Sequence, residues 1–120
     1  MKKRFKLAAA VLVLAQGFAA GAALANQDNY GAIATSESGA WGYGYDYPSR
    51  AQAERAALEE CGDEDCRVQV WFKNACGAVA KDGTNLGWGW AGSRQEAEAN
   101  AMSECGTGAC RVVTWACTSR

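Results

Sequence analysis

One segment of this chain occurs twice, and that duplication limits what the chain can fold into more than any other feature. Ser93-Arg94, Ala97-Glu98, Ala101, Glu104-Cys105-Gly106, Cys110-Arg111-Val112 and Trp115 are matched 44 positions earlier by Ser49-Arg50, Ala53-Glu54, Ala57, Glu60-Cys61-Gly62, Cys66-Arg67-Val68 and Trp71. A fixed-offset match of this length marks a duplicated structural unit, so what one copy forms the other must form as well.

Each copy reads first as a helix. Ser49 and Ser93 are N-cap residues, with Gln52 and Glu96 three positions on to complete a capping box. Ala53, Ala57, Leu58 and Cys61, and likewise Ala97, Ala101, Met102 and Cys105, fall on one helical face. Gly62 and Gly106 stand where a left-handed C-terminal cap is needed. An alanine face lets a helix lie close to whatever it covers.

The strands come next. Residues 30–35 and 76–80 read as an opening strand in each unit, followed by turns rich in Ser, Gly, Asp and Asn. Trp41-Gly42-Tyr43-Gly44-Tyr45-Asp46-Tyr47 and Gly87-Trp88-Gly89-Trp90 alternate with period two, which places the rings on one strand face and the glycines on the other. Interior glycines in a strand mean that something packs tightly on their side. The segment 67–73 alternates too, with Val68, Val70 and Phe72 opposite Arg67, Gln69, Trp71 and Lys73. Its second copy sets Val112, Thr114 and Ala116 opposite Arg111, Val113 and Trp115. With the valine face against the helix, Trp71 and Trp115 are expected to point away from it. Each unit, 30–75 and 76–117, is therefore ββαβ. Together they predict an α+β domain with one antiparallel sheet and two helices on one face.

Residues 1–25 read as a signal peptide: Lys2, Lys3, Arg4 and Lys6 precede an apolar run, and Ala23-Leu24-Ala25 supplies small residues for cleavage. The run is broken by Gln16 and Gly17 before it could span a bilayer, so no membrane insertion of the mature chain is expected. The mature chain, 26–120, is then one domain that is secreted or periplasmic. Past the leader, eight basic and thirteen acidic residues leave a net charge of −5. Nucleic acid and anionic membrane surfaces are thereby disfavoured as partners, because their affinity comes largely from Lys and Arg. The chain has no histidine, which removes the usual general base, the Cys-His and Ser-His nucleophile arrangements and the commonest metal ligand.

Six cysteines remain to be placed. Cys61 and Cys66, and Cys105 and Cys110, form Cys-x4-Cys pairs at the same place in each unit, which favours pairing within units and leaves Cys76 with Cys117. Two near-symmetric cysteine pairs are also the raw material of a zinc cage. An exported chain meets an oxidising compartment, where such a framework is disulfide, and Cys-x4-Cys is not the spacing of thiol oxidoreductases. No metal or cofactor is implied.

Taken together, Tyr30-Gly31-Ala32-Ile33-Ala34, the Trp41-Gly42-Tyr43 segment, Ala53-Glu54 through Ala57-Leu58 to Cys61, Cys66, Cys76-Gly77-Ala78-Val79-Ala80 and the repeated Ala97-Glu98 to Cys105 and Cys110 resemble the bacterial domain of unknown function 4189. The resemblance runs from Tyr30 to Cys117. It implies a small exported domain and brings no established reaction.

The candidate ligand-binding residues are Trp41, Tyr43, Tyr45, Trp71, Trp88, Trp90 and Trp115, with Tyr47 beside them. Such rings either pack a core and pair across strands or form an exposed platform for sugars or a peptide. Asp63-Glu64-Asp65, where the second copy has Thr107-Gly108-Ala109, reads as a solvated acidic tip rather than a calcium loop. Glu54, Glu60, Glu98 and Glu104 recur through duplication, which accounts for them without catalysis. The expected function is an exported, non-enzymatic module that binds a protein, peptide or cell-wall glycan; the alternative is a small inhibitor or immunity-type protein acting on an exported hydrolase.

Overall fold

The computed structural model describes residues 28–120, and the leader expected over 1–25 lies outside them. In each unit two strands are followed by a helix and a third strand. The first unit has β1 (Tyr30–Thr35), β2 (Trp41–Tyr47), α1 (Arg50–Cys61) and β3 (Arg67–Lys73); the second has β4 (Cys76–Lys81), β5 (Leu86–Ala91), α2 (Arg94–Cys105) and β6 (Arg111–Cys117). The helix ends follow from the sequence. Ser49 and Ser93 accept hydrogen bonds from the Gln52 and Glu96 amides, and Gly62 and Gly106 close the helices at φ 81° and 86°. Only glycine adopts that left-handed backbone without strain.

The α+β class and the two stapled ββαβ units are as read from the sequence, but their assembly is different. The strands form two antiparallel three-stranded sheets, ordered β2-β1-β3 and β5-β4-β6, rather than one. Helix α1 packs only on the first sheet and α2 only on the second. The helices therefore lie on the two outer faces instead of sharing one, and the sheets meet through their inner faces.

The cause is a single irregular residue in each closing strand. Along β3, Val68 pairs with Ala34 but Val70 pairs with Ile33, so Gln69 is an extra residue; along β6, Val112 pairs with Ala80 and Thr114 with Val79, which makes Val113 extra. A bulge of this kind shifts the alternation by one position. Val68 thus stays with the helix-facing cluster of Ala32, Ala34, Ala53, Ala57 and Cys61, whereas Val70 and Phe72 turn inward. There they join Ile33, Val79 and Ala116 in a core shared by both units. A lone ββαβ unit, with its helix on the other face, would leave this surface wet. Phe72 sits at the centre, and a Cβ at Gly77 of the opposing sheet would lie 2.5 Å from its ring.

The helices approach the sheets with almost nothing between. A methyl group at Gly42 would come within 2.6 Å of the Ala57 carbonyl, and one at Gly44 within 2.9 Å of the Ala53 carbonyl. Gly89 stands in the same relation to Ala97, and Gly87 to the backbone of Ala101 and Cys105. Of the residues placed on the helical faces from sequence, Ala53, Ala57 and Cys61 and their copies Ala97, Ala101 and Cys105 are buried, and Met102 is partly buried. Leu58 instead points outward and is exposed.

Three disulfides join Cys61 to Cys66, Cys105 to Cys110 and Cys76 to Cys117. The first two fasten each helix to the strand after it, and the third links directly paired residues of β4 and β6. The corresponding pair in the first unit is Tyr30 and Lys73, where the ammonium lies 6.0 Å from the ring centroid and 3.3 Å from the Asp28 carboxylate. Asn29 and Asn74 add reciprocal hydrogen bonds, which anchor the segment just before β1.

Two stability experiments follow from this packing. Gly42→Ala and Gly87→Ala should each cost at least about 2 kcal/mol in chemical denaturation, since backbone cannot yield to the added methyl; Gly83→Ala, with no atom near its Cβ position, should be near neutral. Replacing Cys76 and Cys117 together by serine should cost about 4 kcal/mol, against about 2 kcal/mol for either short-loop bridge, on loop-closure entropy.

Candidate functional site: two aromatic clefts

All five tryptophans are between 38% and 57% exposed, a costly placement for residues that a core would welcome. They fall into two groups. Because Gly42 and Gly44 face α1, Trp41, Tyr43 and Tyr45 project from the other side of β2, toward β6 of the second sheet. The rings of Trp41 and Tyr43 stack with centroids 6.0 Å apart at 18°, and Tyr45 continues the row 6.0 Å further on. With residues 113–117 of β6 they line a cleft of about 440 Å³. Trp88 and Trp90 repeat the arrangement on β5, over residues 69–73 of β3, around a cleft of about 560 Å³.

Both aromatic strands are held by their helices. Glu60 accepts a hydrogen bond from the Tyr43 amide at 3.0 Å, and the Asn100 side-chain amide donates to the Trp90 carbonyl at 3.2 Å. These contacts occupy main-chain groups on strands at the edges of their sheets.

Trp71 and Trp115 do not point away from the helices. The bulges put them opposite Ala32 and Ala78, on the helix side. Arg50 lies 4.5 Å from the centroid of Trp71 and Arg94 3.8 Å from that of Trp115. Each guanidinium is held in place by a carboxylate one turn on, Glu54 or Glu98, at 3.0 Å. A flat cation over an indole is favourable even at an exposed site, so each of these two tryptophans has a partner of its own on the helix side, while Trp115 still lines the first cleft and Trp71 the second. The duplicated Arg, Glu and Trp form one structural unit per repeat, joining the helix start to the closing strand, and Glu54, Glu60 and Glu98 all have structural partners.

The acidic loop is not simply a solvated tip. Asp63 accepts hydrogen bonds from Ser38 at 2.6 Å and Ser36 at 3.2 Å, and Asp65 accepts one from the Glu37 amide. The disulfide loop thereby grips the β1–β2 turn. In the second unit the tie is made with its poles exchanged: Asp82 in the β4–β5 turn accepts from Thr107 of the disulfide loop at 2.5 Å, and also from the amides of Thr84 and Asn85. Sequence comparison of the two loops located the difference, but not that an acid here and a hydroxyl there perform one task. Asp82 also lies near the sulfurs of Cys105 and Cys110; both belong to a disulfide, which leaves no thiolate to ligate a metal.

The hydrogen bond from Thr107, followed by those from Asn85 and Thr84, holds the Asp82 carboxyl well below the usual carboxylate range. A depressed folded-state value means stability that is present above about pH 4 and is lost as pH falls toward the folded value. Asp28, hydrogen-bonded to Asn74 and Lys73, acts in the same direction. Urea denaturation from pH 5 to pH 2 should show Asp82→Asn losing less stability over that interval than the unaltered chain; an equal slope would remove Asp82 from the account.

The class of protein defined by these features is a small disulfide-stapled α+β sandwich of two ββαβ units with an aromatic cleft at each edge. The chain belongs to the family described as Domain of unknown function (DUF4189), which matches residues 30–117. It is similar to Protein Rv1269c of Mycobacterium tuberculosis, 57% identical over 53 residues that make up 44% of this chain and 42% of that protein. It is also similar to Uncharacterized protein Rv1813c of the same organism, 48% identical over 56 residues, 47% of this chain and 38% of the relative. The matched stretches span less than half the length of either relative. The NMR structure of Rv1813c aligns with a TM-score of 0.59 at 40% identity, covering 74% of each chain. Among the described residues no helix is long and apolar enough to cross a membrane.

Proposed function

We propose that the protein is an exported, non-enzymatic binding module that takes its ligand, a glycan, peptide or protein surface, against the aromatic rings of β2 and β5. The observation that supports this most directly is the exposure of Trp41, Tyr45, Trp88 and Trp90 along two clefts, where burial was available to a chain with so small a core. Exposed, firmly mounted rings are typical anchors of binding surfaces. Export rests on the leader features of residues 1–25 and on three disulfides, which persist in oxidising compartments. A non-catalytic role is favoured by a chain without histidine and by the structural engagement of Glu54, Glu60 and Glu98. The inhibitor reading is weakened because the side chains of the stapled loops, Asp63, Asp65 and Thr107, are turned onto their own hairpins.

Intrinsic fluorescence is the direct test. Titration with soluble cell-wall glycan fragments and with peptide pools should shift tryptophan emission. Trp88→Ala with Trp90→Ala, or Trp41→Ala with Tyr43→Ala, should weaken binding by about 2 kcal/mol, roughly thirtyfold in Kd, while the far-ultraviolet dichroism is retained. Trp71→Ala and Trp115→Ala, at residues that lie in the cleft floors but hold their rings against Arg50 and Arg94, should weaken binding less than either double replacement. Loss of binding only in the latter pair would move the site to the arginine-covered rings.

A further inference from the structure

We infer that the protein is bivalent: it binds two neutral glycan strands at once, one in each cleft, and so bridges them. The inference rests on the binding-module reading and adds the number of sites, their placement and the ligand class.

The placement comes from the topology. In the stacked sheets β2 lies against β6 and β3 against β5, with β1 over β4 between them. The two clefts are thus at opposite edges of the sandwich. Between them the inner faces are filled by Ile33, Val70, Phe72 and Val79, all 4% exposed or less, so one ligand cannot pass from cleft to cleft through the interior. Duplication has given each edge the same construction: rings from the second strand of one unit, and a floor from the last strand of the other.

The ligand class comes from three observations. Rings in a row, evenly spaced along β2, the first two near-parallel at 18° and the third tilted by 46°, suit a polymer that offers one apolar ring face after another at changing inclination, as pyranose units do; aromatic side chains stack on such faces. An extended peptide would instead be captured by pairing with an open strand edge. On β2 and β5 that route is narrowed, since Glu60 already holds the Tyr43 amide and Asn100 the Trp90 carbonyl. Finally, the clefts carry no net charge to match an ionic polymer. The first is lined by Trp41, Tyr43, Tyr45 and residues 113–117, none of them charged; the only charged residue lining the second is Lys73, paired with Asp28. A net charge of −5 past the leader further disfavours acidic glycans.

The clefts are alike without being identical. One offers Trp41, Tyr43 and Tyr45; the other offers Trp88 and Trp90, with Leu86 at the position of Trp41. Two different affinities are expected.

Calorimetric titration of the full chain with β-1,4-linked N-acetylglucosamine hexasaccharide, and separately with a neutral glucan hexasaccharide, should give two sites per chain for at least one of them. The Trp41→Ala/Tyr43→Ala variant and the Trp88→Ala/Trp90→Ala variant should each retain one. The unaltered protein should also clump a suspension of the corresponding insoluble polysaccharide, and the single-cleft variants should bind it without clumping it. One site per chain, abolished by one variant and untouched by the other, would overturn bivalency and leave the binding module standing. Binding to peptides or acidic oligosaccharides but to neither neutral hexasaccharide would overturn the glycan class. Silence toward every probe, with the fold intact, would overturn both readings. The stoichiometry on the unaltered chain decides the matter even where a variant fails to fold.

Discussion

The structure depends on the direct seating of helix backbone on strand glycine. Gly42 and Gly44 beneath α1, and Gly87 and Gly89 beneath α2, leave no room for even a methyl group. That contact dictates the alternation of β2 and β5, because each intervening residue must then face the other way. Trp41, Tyr43, Tyr45, Trp88 and Trp90 are the residues so displaced. The aromatic clefts are in this sense the reverse side of the helix packing. A strand with larger residues at the glycine positions would lift the helix, and the alanine faces, with little apolar area to lose, would not hold it.

The second constraint is that neither unit closes alone. The inner core is assembled from Ile33, Val70 and Phe72 of one unit with Val79 and Ala116 of the other. A further contact reinforces the assembly: Asp46 of β2, held at φ 64°, accepts hydrogen bonds from both the amide and the hydroxyl of Ser119, beyond β6 of the other unit. The clefts inherit their rigidity from this arrangement, since each is walled by both units. Rings mounted on such a frame have little freedom left to lose, the condition under which the proposed binding would be tightest.

Much of this was legible in the residues. Ser49 and Ser93 with their capping partners, Gly62 and Gly106, and the glycine-aromatic alternation each specify local geometry through chemistry at short range, and the helices and strands follow them. What sequence did not disclose was the bulge. Gln69 and Val113 look like ordinary members of alternating strands, yet each shifts the face of every residue after it, carrying Phe72 inward and Trp71 and Trp115 to the helix side. Two sheets in place of one, and the division of the aromatic residues into clefts and arginine-covered pairs, both descend from that shift. Leu58 was misplaced for another reason: a helix seated on glycine buries so narrow a stripe that a neighbouring leucine falls outside it.

A duplicated chain carries a hazard, that a hairpin of one copy will dock on the helix and loop of the other. The exchanged poles of the hairpin ties bear on this. In a crossed assembly Asp63 would face Asp82, two acids with no donor between them, and Thr107 would face Ser36 and Ser38, with no acid to receive their protons. The closing pairs carry the same kind of mark, since Cys76 would meet Lys73 and Cys117 would meet Tyr30. The two copies have thus diverged at the points where kinship would let them be confused, and each half of the molecule recognises its own parts.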